Sequence, residues 1–146
     1  MARFPSRTAS ISMSTALTLD EDNYSRIASR LEQKVWVVAC LCAAWCDTCR
    51  SYRTGFEQLA QAHPDKCFVW IDIEDQADVV GDIDVENFPT LLIQKNDVVA
   101  FFGTVLPEPK LAERLIQAQV EKSPEQLAAG AVSLAAFNLR PRLGCV

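Results

Sequence analysis

Apolar and polar positions along this chain of 146 residues change rhythm several times, and each change marks an element. The segment "VWVVACLC", 35–42, is a continuous apolar run rich in valine, which fits a strand buried on both faces. From Asp47 to about Ala62 the period becomes helical. Cys49, Tyr52, Phe56, Leu59 and Ala60 share one side, while Arg50, Arg53, Glu57 and Gln61 lie largely on another, and Pro64 stops the run. "CFVWIDI", 67–73, reads as a second buried strand, and "QADVVGDI", 76–83, as a short helix or turn. "TLLIQ" and "VVAFF", either side of Asn96-Asp97, read as a β-hairpin.

The ends of the pattern are less regular. Residues 16–19 suggest a short strand, and Asp20 an N-cap for a helix over about 21–33 carrying Tyr24, Ile27 and Leu31. After Pro107 and Pro109, the spacing of Leu111, Leu115 and Ala118 predicts a helix to about Val120. Ser123, Pro124 and Gln126 form an N-cap, first residue and capping-box signature before "LAAGAVSLAAF", whose Leu127, Ala131 and Leu134 form a docking stripe. A loose tail ending in Cys145 is expected after it.

The order β, α, β, α, β, α, β, β, α calls for a mixed sheet covered on both faces, an α/β layered domain over residues 16–120. A flexible tail (1–15) would precede it, and a helical extension (121–146) would follow. Apolar residues make up 49% of the chain and the net charge is -5, with no basic run to neutralise phosphates, so nucleic acid is not the expected partner. The first 19 residues contain two arginines but no apolar run of seven, and no stretch approaches a membrane span. The expectation is a soluble cytoplasmic monomer.

Four of the six cysteines, Cys40, Cys42, Cys46 and Cys49, fall in "CLCAAWCDTCRSY", 40–52. A metal site, a disulfide knot and a redox dithiol all compete for that cluster. Cys46 lies between a buried strand and a helix start, where unpaired N–H groups and the positive helix end favour a thiolate nucleophile. Cys49, three residues on, is close enough to attack a mixed disulfide formed at Cys46. Trp45 would give the site an apolar flank.

The "WCDTC" motif, the Phe88-Pro89-Thr90 triplet about forty residues on, and the element order resemble the thioredoxin family over about residues 16–120. The resemblance implies a thioredoxin-like fold and protein thiol-disulfide exchange, with Cys46 as attacking thiol and Cys49 as resolving thiol. It also implies a cis peptide bond at Pro89 in a loop, Phe88 to Thr90, that holds the substrate backbone. The redox-active Cys46-Cys49 disulfide would serve in place of a cofactor, and the partners would be protein disulfides and a recycling reductase. Gly103 matches a family glycine near the substrate groove. Three departures stand out: Asp47-Thr48 replaces the usual Gly-Pro between the cysteines, Cys40 occupies the place of a buried aspartate, and Trp70 the place of its lysine partner. Asp47 puts a negative charge beside Cys46, which by itself disfavours the thiolate.

Cys40 and Cys42, two apart on a strand, point to one face. The simplest reading makes both apolar fillers; the alternatives are an accessory thiol pair or a four-cysteine metal site, although thiols in a strand and at a helix start are not expected to converge. Cys67, Trp36 and Trp70 read as core, His63 as a surface histidine at a helix end without an acid-base partner, and the acidic "DIEDQAD", 72–78, as a solvated loop. A binding or assembly module with an idle dithiol is the rival function, since fold does not fix function.

Overall fold

The strand β2 (Val37–Cys42) has all six residues buried, because its two faces supply two separate cores. In the computed structural model, which describes residues 16–144, β2 lies mid-sheet between β3 (Cys67–Asp72), parallel to it, and β4 (Thr90–Lys95), antiparallel. β1 (Leu17–Thr18) pairs with β3 on one edge, and β5 (Val98–Thr104) with β4 on the other, giving the order β1-β3-β2-β4-β5. The N-terminal tail and Cys145 lie outside the described residues.

Strand alternation then sorts the helices. Val37, Ala39 and Leu41 face a core built with α1 (Tyr24–Glu32) and α3 (Ala77–Val80). Val38, Cys40 and Cys42 face the opposite core, covered by α2 (Asp47–Ala62) and α4 (Pro109–Val120). On α2 the buried residues are Cys49, Tyr52, Phe56, Leu59 and Ala60, the five that the helical period puts on one side. Phe56 meets Phe68 and Trp70 edge-on, at centroid distances of 5.5 and 5.7 Å. α2 and α4 approach closely at Gly55, where a Cβ would fall 2.4 Å from Cγ of Pro109. The hairpin turn puts Asn96 at φ 55°, a left-handed conformation that asparagine tolerates.

Four expectations need correction. α1 begins at Tyr24 with Asn23 as N-cap, because the Asp20 carboxylate accepts from Asp22 N (2.8 Å) and closes a turn instead of a helix. α4 buries Ala112, Ile116 and Gln119, while Leu111 and Leu115 sit on its flank, one position round from the expected stripe. Trp36 precedes β2 and is half-buried, with the Lys95 ammonium 5.2 Å from its ring centroid. The segment after α5 (Pro124–Leu134) is not loose up to residue 144. It continues through a 3-10 turn (Ala135–Phe137) into α6 (Leu139–Arg142), with Leu139 and Leu143 inside the first core.

Polar contacts explain that docking. α5 carries its capping box, Gln126 N donating to Ser123 Oγ (3.2 Å) and Ser123 N to Gln126 Oε1 (2.9 Å). Phe137 stacks on Phe102 at 4.0 Å, and Arg142 pairs with Asp82. Gln94, fully enclosed, donates Nε2 to Asn138 Oδ1 (2.5 Å) and Asn96 O (2.8 Å) and accepts from Leu139 N (2.9 Å) through Oε1. Its side chain bolts α6 to the hairpin. Gln94→Ala is therefore expected to cost about 1–3 kcal/mol in urea unfolding, since it strands the buried Leu139 N–H, and to speed hydrogen exchange at that amide.

Candidate active site at the end of the central strand

The chain leaves β2 at Cys42 and turns over Ala43 to Trp45 before α2 begins. Cys46 takes the N-cap position with extended backbone; its N–H donates to Ala43 O (3.1 Å), and its carbonyl accepts the first helical bond from Arg50 N (3.1 Å). The Cys46 thiol is half-buried, whereas Cys49, on the inner side of the first turn, is fully enclosed. N-cap and third helical position are neighbours on a helix start, so Cys46 and Cys49 share one turn.

Among the described residues, however, the disulfide joins Cys49 to Cys42, leaving Cys46 as a free thiol. The expectation that strand and helix-start thiols would not converge is corrected here. α2 passes directly over the end of β2, bringing the two α-carbons to 5.8 Å, within ordinary disulfide range. Cys42 is thus no mere filler. Cys40 remains free, its sulfur 3.8 Å from that of Cys42, and complete burial pushes its thiol well above the usual range. Among the described residues no group of three or more His, Cys, Asp and Glu side chains could hold a metal ion.

The rim is built from residues far apart in sequence. Trp45 is 61% exposed, meets Phe88 edge-on at 5.6 Å, and donates its indole N–H to Glu74 Oε2 (3.1 Å). The Phe88-Pro89 bond is cis. Its loop is held by Thr90 Oγ1 donating to Asn87 O (2.7 Å) and by Val105 N donating to Pro89 O (3.0 Å). Gly103 lies opposite Leu91 in the hairpin that carries this loop. Asp47 and Thr48 open onto a groove of about 370 Å³ running past Gly55 towards Pro107 and Pro109.

Residues that the sequence reading passed over complete the site. Arg50 pairs with Asp47 and also donates to Ala44 O (2.6 Å), so the acid beside Cys46 has a cation against it. The acidic loop is structural rather than merely solvated: Asp72 accepts from Ala44 N (3.1 Å) with one oxygen and from Glu74 N (2.9 Å) and Asp75 N (3.0 Å) with the other. Cys40 and Trp70 are register partners in β2 and β3, and the Arg53 guanidinium covers the Trp70 ring at 4.9 Å. Cys49, Arg53, Trp70 and Asp72 line a cleft of about 240 Å³, roomy enough for water beside the resolving position. His63 has an acidic partner after all, Glu113 Oε2 at 2.8 Å, and stacks on Phe68, away from the cysteines.

The thioredoxin family model matches residues 15–117. A putative thioredoxin 2 from Streptomyces coelicolor is 28% identical over 108 residues, 73% of this chain and 78% of that protein. The thioredoxin-like protein CXXS1 of Oryza sativa subsp. japonica is 35% identical over 85 residues, 58% of this chain; the chain spans 63% of that relative's length. Among solved structures, spinach chloroplast thioredoxin f (short form) superposes with a TM-score of 0.63 at 20% identity, covering 74% of this chain and 96% of that one. Thioredoxin f2, solved in complex with ferredoxin:thioredoxin reductase, gives 0.64 at 18% identity over 74% of this chain and 97% of its own.

Burial also sets a pH dependence. Enclosure pushes the Cys67 thiol from its ordinary 9.0 up to about 11, and moves Cys40 in the same direction. Both groups favour the folded state only while protonated, so their contribution is intact below 9.0 and is lost as pH rises through the folded values. Urea midpoints of the folded chain should fall between pH 9 and 11, and Cys40→Ala should flatten that decline.

Proposed function

The chain belongs to the thioredoxin family of thiol-disulfide oxidoreductases, and on that premise we propose that it reduces disulfides in protein substrates. Cys46 attacks one sulfur of the substrate disulfide, forming a mixed disulfide and releasing the other sulfur as a thiolate. Cys49 then attacks Cys46 Sγ, closing Cys46-Cys49 and freeing the substrate as a dithiol. Two electrons leave the protein in each cycle, and an external reductase returns them, a role that ferredoxin:thioredoxin reductase illustrates as the solved partner of thioredoxin f2. No bound cofactor takes part.

The observation that carries this reading is the difference in access between two cysteines one helical turn apart. Cys46 is reachable at the N-terminal end of α2, while Cys49 is shut behind it. Trp45, Phe88 and Pro89 supply the apolar platform for a polypeptide, with Thr90 holding the proline loop and Asp47 and Thr48 shaping the opposite lip. The reaction is placed in the cytoplasm, where reductases keep such a dithiol charged. Residues 16–120 carry it as a monomer, and residues 121–144 brace the sheet edge from behind.

A binding or assembly module is the second reading, favoured by one observation: Cys49 is engaged by Cys42, leaving Cys46 to act alone. Insulin reduction by dithiothreitol, followed as turbidity, discriminates the two. The wild-type chain is expected to accelerate precipitation and Cys46→Ser to lose that acceleration, whereas equal rates would leave the binding module. Cys49→Ser is expected to retain partners as disulfides that dithiothreitol releases.

A further inference from the structure

Among the described residues, Cys42 is the one disulfide-bonded cysteine that the exchange cycle does not use. It sits at the last position of β2, fully enclosed, bonded to the resolving cysteine, with 5.8 Å between the α-carbons. Cys49 therefore has two partners on two sides: Cys46, one helical turn back at the accessible N-cap, and Cys42, beneath it in the sheet. The three residues are held in that relation by short local bonds. Cys46 N is tied to Ala43 O, Ala44 N to the Asp72 carboxylate, and Ile73 N to Cys42 O (2.9 Å). With Cys46 at the N-cap and Cys49 in the first turn, rotation of the Cys49 side chain turns its sulfur from one partner towards the other.

We infer that Cys42 is a third catalytic thiol, which takes Cys49 over from Cys46 and stores the disulfide in the core. The inference rests on the exchange reading above. In this step the Cys42 thiolate attacks Cys49 Sγ of the Cys46-Cys49 disulfide, the Cys42-Cys49 bond forms, and the Cys46-Cys49 bond breaks with its electron pair leaving on Cys46. One proton leaves Cys42 and one is taken up at Cys46. One disulfide is exchanged for another, so the step consumes no oxidant or reductant. The cleft lined by Arg50, Arg53 and Asp72 borders Cys49, the residue whose sulfur both partners share.

The consequence is an oxidised protein with a working nucleophile. Its disulfide is enclosed on both sulfurs, out of reach of an external thiol, and the half-buried Cys46 is the entry point for reduction: it attacks Cys49, restores the outer disulfide and returns Cys42 to the thiol form. The transfer stops at Cys42. Cys40 lies behind it on the same strand, its sulfur 3.8 Å from that of Cys42, and takes no part in a disulfide.

The test uses the full chain, reduced and then oxidised with one equivalent of oxidised glutathione, quenched in acid, unfolded and alkylated with N-ethylmaleimide. Residues 35–50 form one tryptic fragment that contains Cys40, Cys42, Cys46 and Cys49, and fragment spectra locate the adducts. The expected pattern is adducts at Cys40 and Cys46, with Cys42 and Cys49 joined. Adducts at Cys40 and Cys42, with Cys46 and Cys49 joined, would overturn the transfer and leave the exchange reading standing. Adducts at all four would overturn both. In Cys42→Ala the Cys46 adduct is expected to vanish on oxidation; its persistence would contradict the transfer, and if that variant does not fold the wild-type map decides alone.

Discussion

The passage of the first turn of α2 over the end of β2 is the constraint on which the site depends. β2 cannot move, because it is hydrogen-bonded on both edges and packed on both faces. α2 cannot lift, because Phe56 is wedged against Phe68 and Trp70 and Gly55 lies against Pro109. Burying a phenylalanine of that kind stabilises the fold by about 1.5–3 kcal/mol. With both elements pinned, only a short turn separates Cys42 from the helix start, and Cys49 has to come down above the strand. Its chemistry follows from that placement: a sulfur between an accessible partner and an enclosed one.

Around this junction the protein replaces charge with apolar and soft groups. A thiol and an indole, Cys40 beside Trp70, stand where the family resemblance leads one to expect an acid and a lysine, and the nearest cation is Arg53, stacked on the outer face of that indole. Charge is moved outward to the rim, where Asp72 fixes Ala44, Glu74 fixes Trp45 and Arg50 faces Asp47. The rim is therefore held by polar contacts to the β3–α3 loop, and the interior around Cys49 by sulfur and aromatic packing.

Much of this was legible in the sequence where a signal is local. The apolar run of β2 and the five-residue stripe of α2 needed only the two side-chain periods. The cis bond before Pro89 came from family resemblance and not from any pattern in the residues. What stayed hidden depends on where distant segments meet. The Cys42-Cys49 bond is set by the tilt of a helix over a strand, and the His63-Glu113 pair joins two helices. The acidic loop read as solvated because nothing local says that Ala44 and Trp45 lie within its reach. The segment after α5 read as loose because its anchor, Gln94, is a polar residue in the middle of a strand, a position where sequence gives no hint of its partners.

The central claim is that Cys49 holds Cys42 in the oxidised protein while Cys46 stays a thiol. The ¹³Cβ chemical shifts of the three cysteines, measured on the labelled full chain before and after oxidation, address it directly, because a disulfide carbon and a thiol carbon resonate apart. The account expects Cys42 and Cys49 to move to disulfide positions and Cys46 to remain where it was. Movement of Cys46 together with Cys49, with Cys42 unchanged, would contradict it.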